Sequence, residues 1–115
     1  MEKEETKVTA QTHDGGVTVE QVEAWKRQHR KAYRVDIVDD DGDTHIGYFK
    51  RPDFPTIKAV TKLAKSDEVE AGKVMFDNCW LGGSKTLRED AVLFMAVQAQ
   101  LGKLLNGVMG SIKNL

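Results

Sequence analysis

Apolar residues fall into six patterns along the chain, and each pattern predicts an element. Val22, Trp25 and His29 follow Thr18-Val19-Glu20-Gln21 at three- and four-residue spacing. That tetrapeptide has capping-box form, so a short helix is expected over 19–30, with Trp25 as its anchor. Tyr33, Val35 and Ile37 then alternate with Arg34 and Asp36, which predicts a strand with one face on a core. Asp39-Asp40-Asp41-Gly42-Asp43 follows, and an Asp-Gly pair between two β patterns predicts a hairpin. The second strand runs from His45 to Arg51, with Ile46, Tyr48 and Phe49 as its apolar residues.

The rest of the chain reads as helices. Asp53 caps and Pro55 fits the first turn of a helix whose apolar face is Ile57, Val60 and Ala64, with Leu63 beside it. Ser66-Asp67-Glu68 is a second start signal, a capping serine followed by acids, and Val69, Gly72, Phe76 and Trp80 carry that face to the Gly82-Gly83 break. Trp80 is expected to plug the corner before the break. Thr86-Leu87-Arg88-Glu89 has capping-box form again. Behind it Leu93, Val97, Leu101, Leu104, Val108 and Ile112 recur at helical spacing. Gly102, Gly107 and Gly110 weaken this last helix by about 1 kcal/mol each relative to alanine. Strands and helices are segregated, so the expected class is α+β: an N-terminal helix, one antiparallel β-hairpin, then about three C-terminal helices. Residues 1–17 are polar and are expected to form a disordered arm, leaving 18–115 as a single small domain.

Composition narrows the function classes. The chain has 115 residues, 40% of them hydrophobic and 30% charged, as in an ordinary single globular domain. A net charge of −1 gives no reason to expect nucleic acid, although Lys26, Arg27, Arg30, Lys31 and Arg34 lie close together. That group reads as a solvated helix end. No apolar run approaches the roughly 20 residues of a membrane span, and the charged start lacks a signal-peptide core. A cytoplasmic protein without membrane contact is expected. The single cysteine, Cys79, sits among apolar residues and reads as a small core hydrophobe rather than a nucleophile.

Candidate chemistry is sparse. A calcium loop with Gly42 at its sixth position would begin at Ile37 and end at Tyr48, and neither can supply the ligand those positions need. His13, His29 and His45 show no metal-ligand spacing, and a His45–Cys79 dyad would lack a third orienting group. Gly82-Gly83-Ser84-Lys85-Thr86 follows a helix and lacks the first glycine of a phosphate loop. No catalytic residue, metal or cofactor is expected. The segment Val108-Met109-Gly110-Ser111-Ile112 extends the last apolar face further than the core should need. Val108, Met109 and Ile112 are therefore the candidate partner-binding residues.

Four local motifs stand out from Tyr48 to the C-terminus. Gly47-Tyr48-Phe49-Lys50-Arg51-Pro52 lies at a strand end and Ala64-Lys65-Ser66-Asp67 after a helix. Asn78-Cys79-Trp80-Leu81-Gly82-Gly83 precedes the last helix, and the chain closes on Ile112-Lys113-Asn114-Leu115. In these the stretch resembles the small tail assembly chaperones of long-tailed phages and prophages. Val69 stands where the family pattern has proline, and residues 1–17 have no counterpart. The resemblance implies a non-enzymatic protein of the bacterial host cytoplasm. It would coat the phage tape measure protein during tail morphogenesis, help recruit tail tube protein, and be absent from the finished virion. Self-association as a homo-oligomer stays open. So does a different class, a structural tail or connector component retained in the particle.

Overall fold

The computed structural model describes residues 9–106 and 110–115. Four strands and five helices alternate unevenly within them: β1 (Thr12–His13), α1 (Val19–Gln28), β2 (Ala32–Val38), β3 (Thr44–Lys50), α2 (Phe54–Ala64), α3 (Glu68–Cys79), β4 (Trp80–Gly83), α4 (Thr86–Glu89) and α5 (Ala91–Asn106). The class is α+β. Two details differ from the sequence expectation. A strand precedes the first helix, and the hairpin belongs to a four-stranded mixed sheet.

The sheet grows around β3. Its partner on one side is β2, antiparallel from Ala32 opposite Lys50 to Val38 opposite Thr44. Its other side is shared: β1 runs parallel to the start of β3, and β4 runs antiparallel to its end. Thr12 and His13 therefore carry sheet pairing that the polar composition of residues 1–17 did not signal. Residues 1–8 lie outside the described residues. The turn closes as the Asp-Gly pair requires. Gly42 adopts φ +86° and donates to the Asp39 carbonyl, and the Asp39 amide donates to Asp43.

β4 corrects the reading of Trp80-Leu81-Gly82-Gly83 as a helix-to-helix break. The chain leaves α3 at Trp80 in an extended conformation and pairs with β3, Gly83 opposite Gly47 and Trp80 opposite Phe49. Gly83 can do this because it has no side chain: its φ is +136°, and a Cβ there would overlap the Ile46 carbonyl.

The core lies between one face of the sheet and the helices. Val35, Ile37 and Phe49 meet Met75, Phe76 and Cys79 of α3, Leu87 of α4, and Leu93, Phe94, Val97 and Leu101 of α5. α2 packs along α3 and contributes Val60. On the opposite face α1 covers only part of the sheet. It buries none of its own residues fully and touches through Trp25, whose ring lies 5.4 Å from that of Tyr48.

Helix starts follow side-chain caps, with two shifts. Thr18 and Gln21 form the full capping box expected of them, and Asp53 caps α2. At α3 the capping residue is Asp67 rather than Ser66, because the Asp67 carboxylate accepts the Glu70 amide. The box at Thr86–Glu89 does not form: those residues make the single turn α4, started by Lys85 with no side-chain cap. Asp90 breaks the chain there, and its carboxylate accepts the amides of Val92 and Leu93 to start α5. The break lets Leu87 turn into the core from one helix while Leu93 and Val97 enter from another. Among the described residues α5 runs to Asn106, and Ile112 lies outside any helix.

Candidate functional site

The most densely bonded polar group sits where the hairpin turn meets β1 and the β4–α4 link. His45 is placed by strand alternation. Its neighbours Ile46 and Thr44 point the other way, so its ring enters the rim of the core face and is buried. Its Nδ1 lies 2.9 Å from Ser84 Oγ, and its Nε2 lies 3.0 Å from Asp39 Oδ2. A carboxylate only accepts, so Nε2 carries the proton it gives to Asp39. In the neutral ring Nδ1 then accepts from the Ser84 hydroxyl.

A second pair sits beside the first. His13 Nε2 is 3.4 Å from Asp43 Oδ2, and the two imidazoles stack with centroids 4.7 Å apart and planes 20° from parallel. Asp39 is the hub. One of its oxygens accepts the amides of Asp41 and Asp43, both at 2.9 Å, and the other receives His45. Burial alone would push its carboxyl up. The bonds from His45 and from the Asp43 and Asp41 amides outweigh that and hold it below the usual carboxylate range.

These groups border an open cavity of about 470 Å³ that Thr86, Asp90, Val92 and Leu93 also line. The order serine–histidine–aspartate has the elements of a nucleophilic relay. Its placement does not support that chemistry. Ser84 is 5% exposed and does not line the cavity, so no substrate reaches its Oγ from there. Its amide is also spent on the Ile46 carbonyl. The arrangement ties three distant parts of the chain together. Asp39, Asp40 and Asp41 bring carboxylate oxygens within 4.8 Å of one another, a spacing a divalent cation could use, but both Asp39 oxygens are already engaged.

The structure separates the His45–Cys79 pair weighed from the sequence. Both ring nitrogens of His45 are taken, and Cys79 lies in the core with its Sγ 3.9 Å from Met75 Sδ. Burial pushes its thiol up to about 11, so it stays protonated near neutrality. Of the partner-binding residues named from the sequence, Val108 and Met109 lie outside the described residues, and Ile112 is exposed.

A second surface was signalled by periodicity only through Val69. A groove of about 440 Å³ runs between α3 and α5, floored by Phe94 and flanked by Val69 and Met95. Those two are 54% and 57% exposed, which is high for apolar side chains facing one groove. Lys73, Arg88 and Glu89 form its rim. Arg88 is held in place by a two-point bond to Asp77 at 2.9 and 3.2 Å, and its guanidinium lies 5.6 Å from the Phe94 ring centre. Asp77 also raises the Arg88 pKa, so that rim charge is permanent. Val69 belongs to the apolar face expected of α3 yet stays exposed, whereas Met95 lies off the stripe expected of the last helix; the structure brings the two to one groove.

No family model and no curated protein matches the chain. Among solved structures it is similar to the uncharacterised protein rbstp2171 from Bacillus stearothermophilus, at 18% identity and a TM-score of 0.58. The match covers 81% of this chain and 99% of that one. At that identity the likeness is one of fold. No helix among the described residues is long and apolar enough to cross a membrane.

Proposed function

We propose that this protein is a non-enzymatic phage tail assembly chaperone, acting in the host cytoplasm and binding the tape measure protein during tail morphogenesis. The observation that carries the reading is the resemblance over Tyr48–Leu115. The α3–α5 groove supports it physically. An apolar floor with exposed Val69 and Met95 and a charged rim suits the apolar face of a client's amphipathic helix. A tape measure protein is long and offers many such helices, so many copies along one client add avidity to a weak single contact. Val108, Met109 and Ile112 are the sequence-based extension of this contact, and tail tube protein is a second partner under the same reading.

Co-expression tests it. The wild-type chain should keep a tape measure protein in the soluble fraction. Val69→Lys with Met95→Lys changes only exposed side chains, so the variant should melt with the wild type and lose that effect. Recovery of the chain in stoichiometric amounts from purified virions would sink the reading and favour a structural tail component.

A further inference from the structure

One sheet edge is open. β1 and β4 together fill one side of β3, whereas the outer edge of β2 pairs with no strand among the described residues. β2 is seven residues long, its register with β3 is unbroken, and it contains neither proline nor glycine. Edges of that length are normally shortened, bulged or covered.

The backbone groups that face outward follow from the turn. Asp39 donates to Asp43, and alternation then directs Ile37, Val35 and Tyr33 to bond β3. The amides and carbonyls of Ala32, Arg34, Asp36 and Val38 face away from it. Thr44 fits this phase, because opposite Val38 its amide turns to Gln11.

The side chains of this edge are antisymmetric in charge about Val35. Arg34 and Asp36 flank it, and Lys31 and Asp39 lie further out at equal spacing. Placed antiparallel to its own copy with Val35 at the centre, Arg34 meets Asp36 of the other copy, and Asp36 meets its Arg34. On the core face Tyr33 meets Ile37. The same register pairs Ala32 with Val38 and brings only outward-facing backbone groups opposite one another, so the ladder and the charges agree. A shift of two residues along the strand loses the Arg34–Asp36 pairing. We propose that the protein forms a two-fold homodimer through an antiparallel β2–β2 pair, which joins the two sheets into one. Within one copy Arg34 and Asp36 already bond at 2.7 and 2.9 Å on the exposed face, so both heads stand at the edge where the second copy arrives. The dimer is independent of the chaperone reading.

Sedimentation equilibrium of the full chain tests it. The wild type should be a dimer. Arg34→Asp and Asp36→Arg each set like charges opposite one another twice, and each should weaken the dimer by about tenfold. Mixing the two variants restores opposite charges at both positions and should recover dimers, now mixed. Both side chains are exposed, and circular dichroism melts check that each variant folds. A nitroxide on Val38→Cys gives a second readout, since Val38 is exposed while Cys79 is buried. The two labels should lie about 20 Å apart, six strand residues along the pair. A monomeric wild type, a dimer indifferent to both charge changes, a mixture that stays monomeric, or labels far beyond that distance would overturn the proposal.

Discussion

β3 is held by different physics at its two ends. At its start His45 is fixed by two directional bonds, to Ser84 and Asp39, and by stacking on His13. At its other end Phe49 is fixed by area. It is fully buried and packs edge-on to Phe76 and Trp80, with centroids 5.2 and 5.3 Å away. The polar end decides where the hairpin turn sits relative to β1 and α4, because each bond tolerates little displacement. The aromatic end supplies most of the stability, because three large rings leave water together. One strand thus separates placement from stabilisation.

The comparison breaks most completely at Gly83, which joins both ends. Gly83→Ala puts a Cβ into the Ile46 carbonyl at a φ of +136°. β4 would have to leave β3, taking Ser84 from His45 and Trp80 from Phe49. The expected cost is about 4 kcal/mol or more, read by urea unfolding. A cost under about 1 kcal/mol would mean that β4 is not held by this pairing. Removing one end alone should cost less. Phe49→Ala should lose about 3–5 kcal/mol, with a loss that does not vary between pH 3 and 7, since Cys79, the titratable member of the cluster, is pushed up to about 11 and stays protonated there.

What was legible in the sequence depended on how local its cause was. The Thr18–Gln21 box, the Asp53 cap and the Gly42 turn are each decided within four or five residues, and the structure has them where the residues place them. The alternation of Val35 and Ile37 likewise survives as burial. β4 was illegible because Gly82 and Gly83 read as a break and outweigh the strand preference of Trp80 in so short a segment. It is a strand only because β3 offers an edge and Trp25 covers Gly82. Two local signals competed at α5, and Asp90 prevailed over Thr86 because a break there lets both Leu87 and Leu93 reach the core. The polar cluster had almost no signal. Ser84 and His45 are 39 residues apart, and neither residue type stands out in its own segment.

At the polar end His45→Ala leaves the buried Ser84 hydroxyl without its ring partner and Asp39 without its side-chain donor. About 1–3 kcal/mol should be lost at neutral pH, less than at Phe49. Hydrogen exchange should localise the loss, with faster exchange at the amides of Asp41, Asp43 and Thr44 and little change at Phe76 and Val97. Uniformly faster exchange across the core would show that the two ends are not separable.

The smallest expected effect is the pH dependence of that same end. The folded carboxyl of Asp39 lies below its ordinary value, against the pull of burial, because His45 and the turn amides bond its ionised form. A depressed carboxylate stabilises the fold in full above its unfolded pKa of about 3.9. The contribution falls away as pH drops through the lower folded value. Wild type and Asp39→Asn should therefore differ most near neutral pH and converge in acid below about pH 4. Wild type and Phe49→Ala should keep a constant difference over the same range. The measurement is a set of urea curves for the three proteins at pH 3, 5 and 7. If the Asp39→Asn difference were as flat as that of Phe49→Ala, the carboxylate would be idle in the clamp, and the turn would be held by Gly42 and the backbone alone.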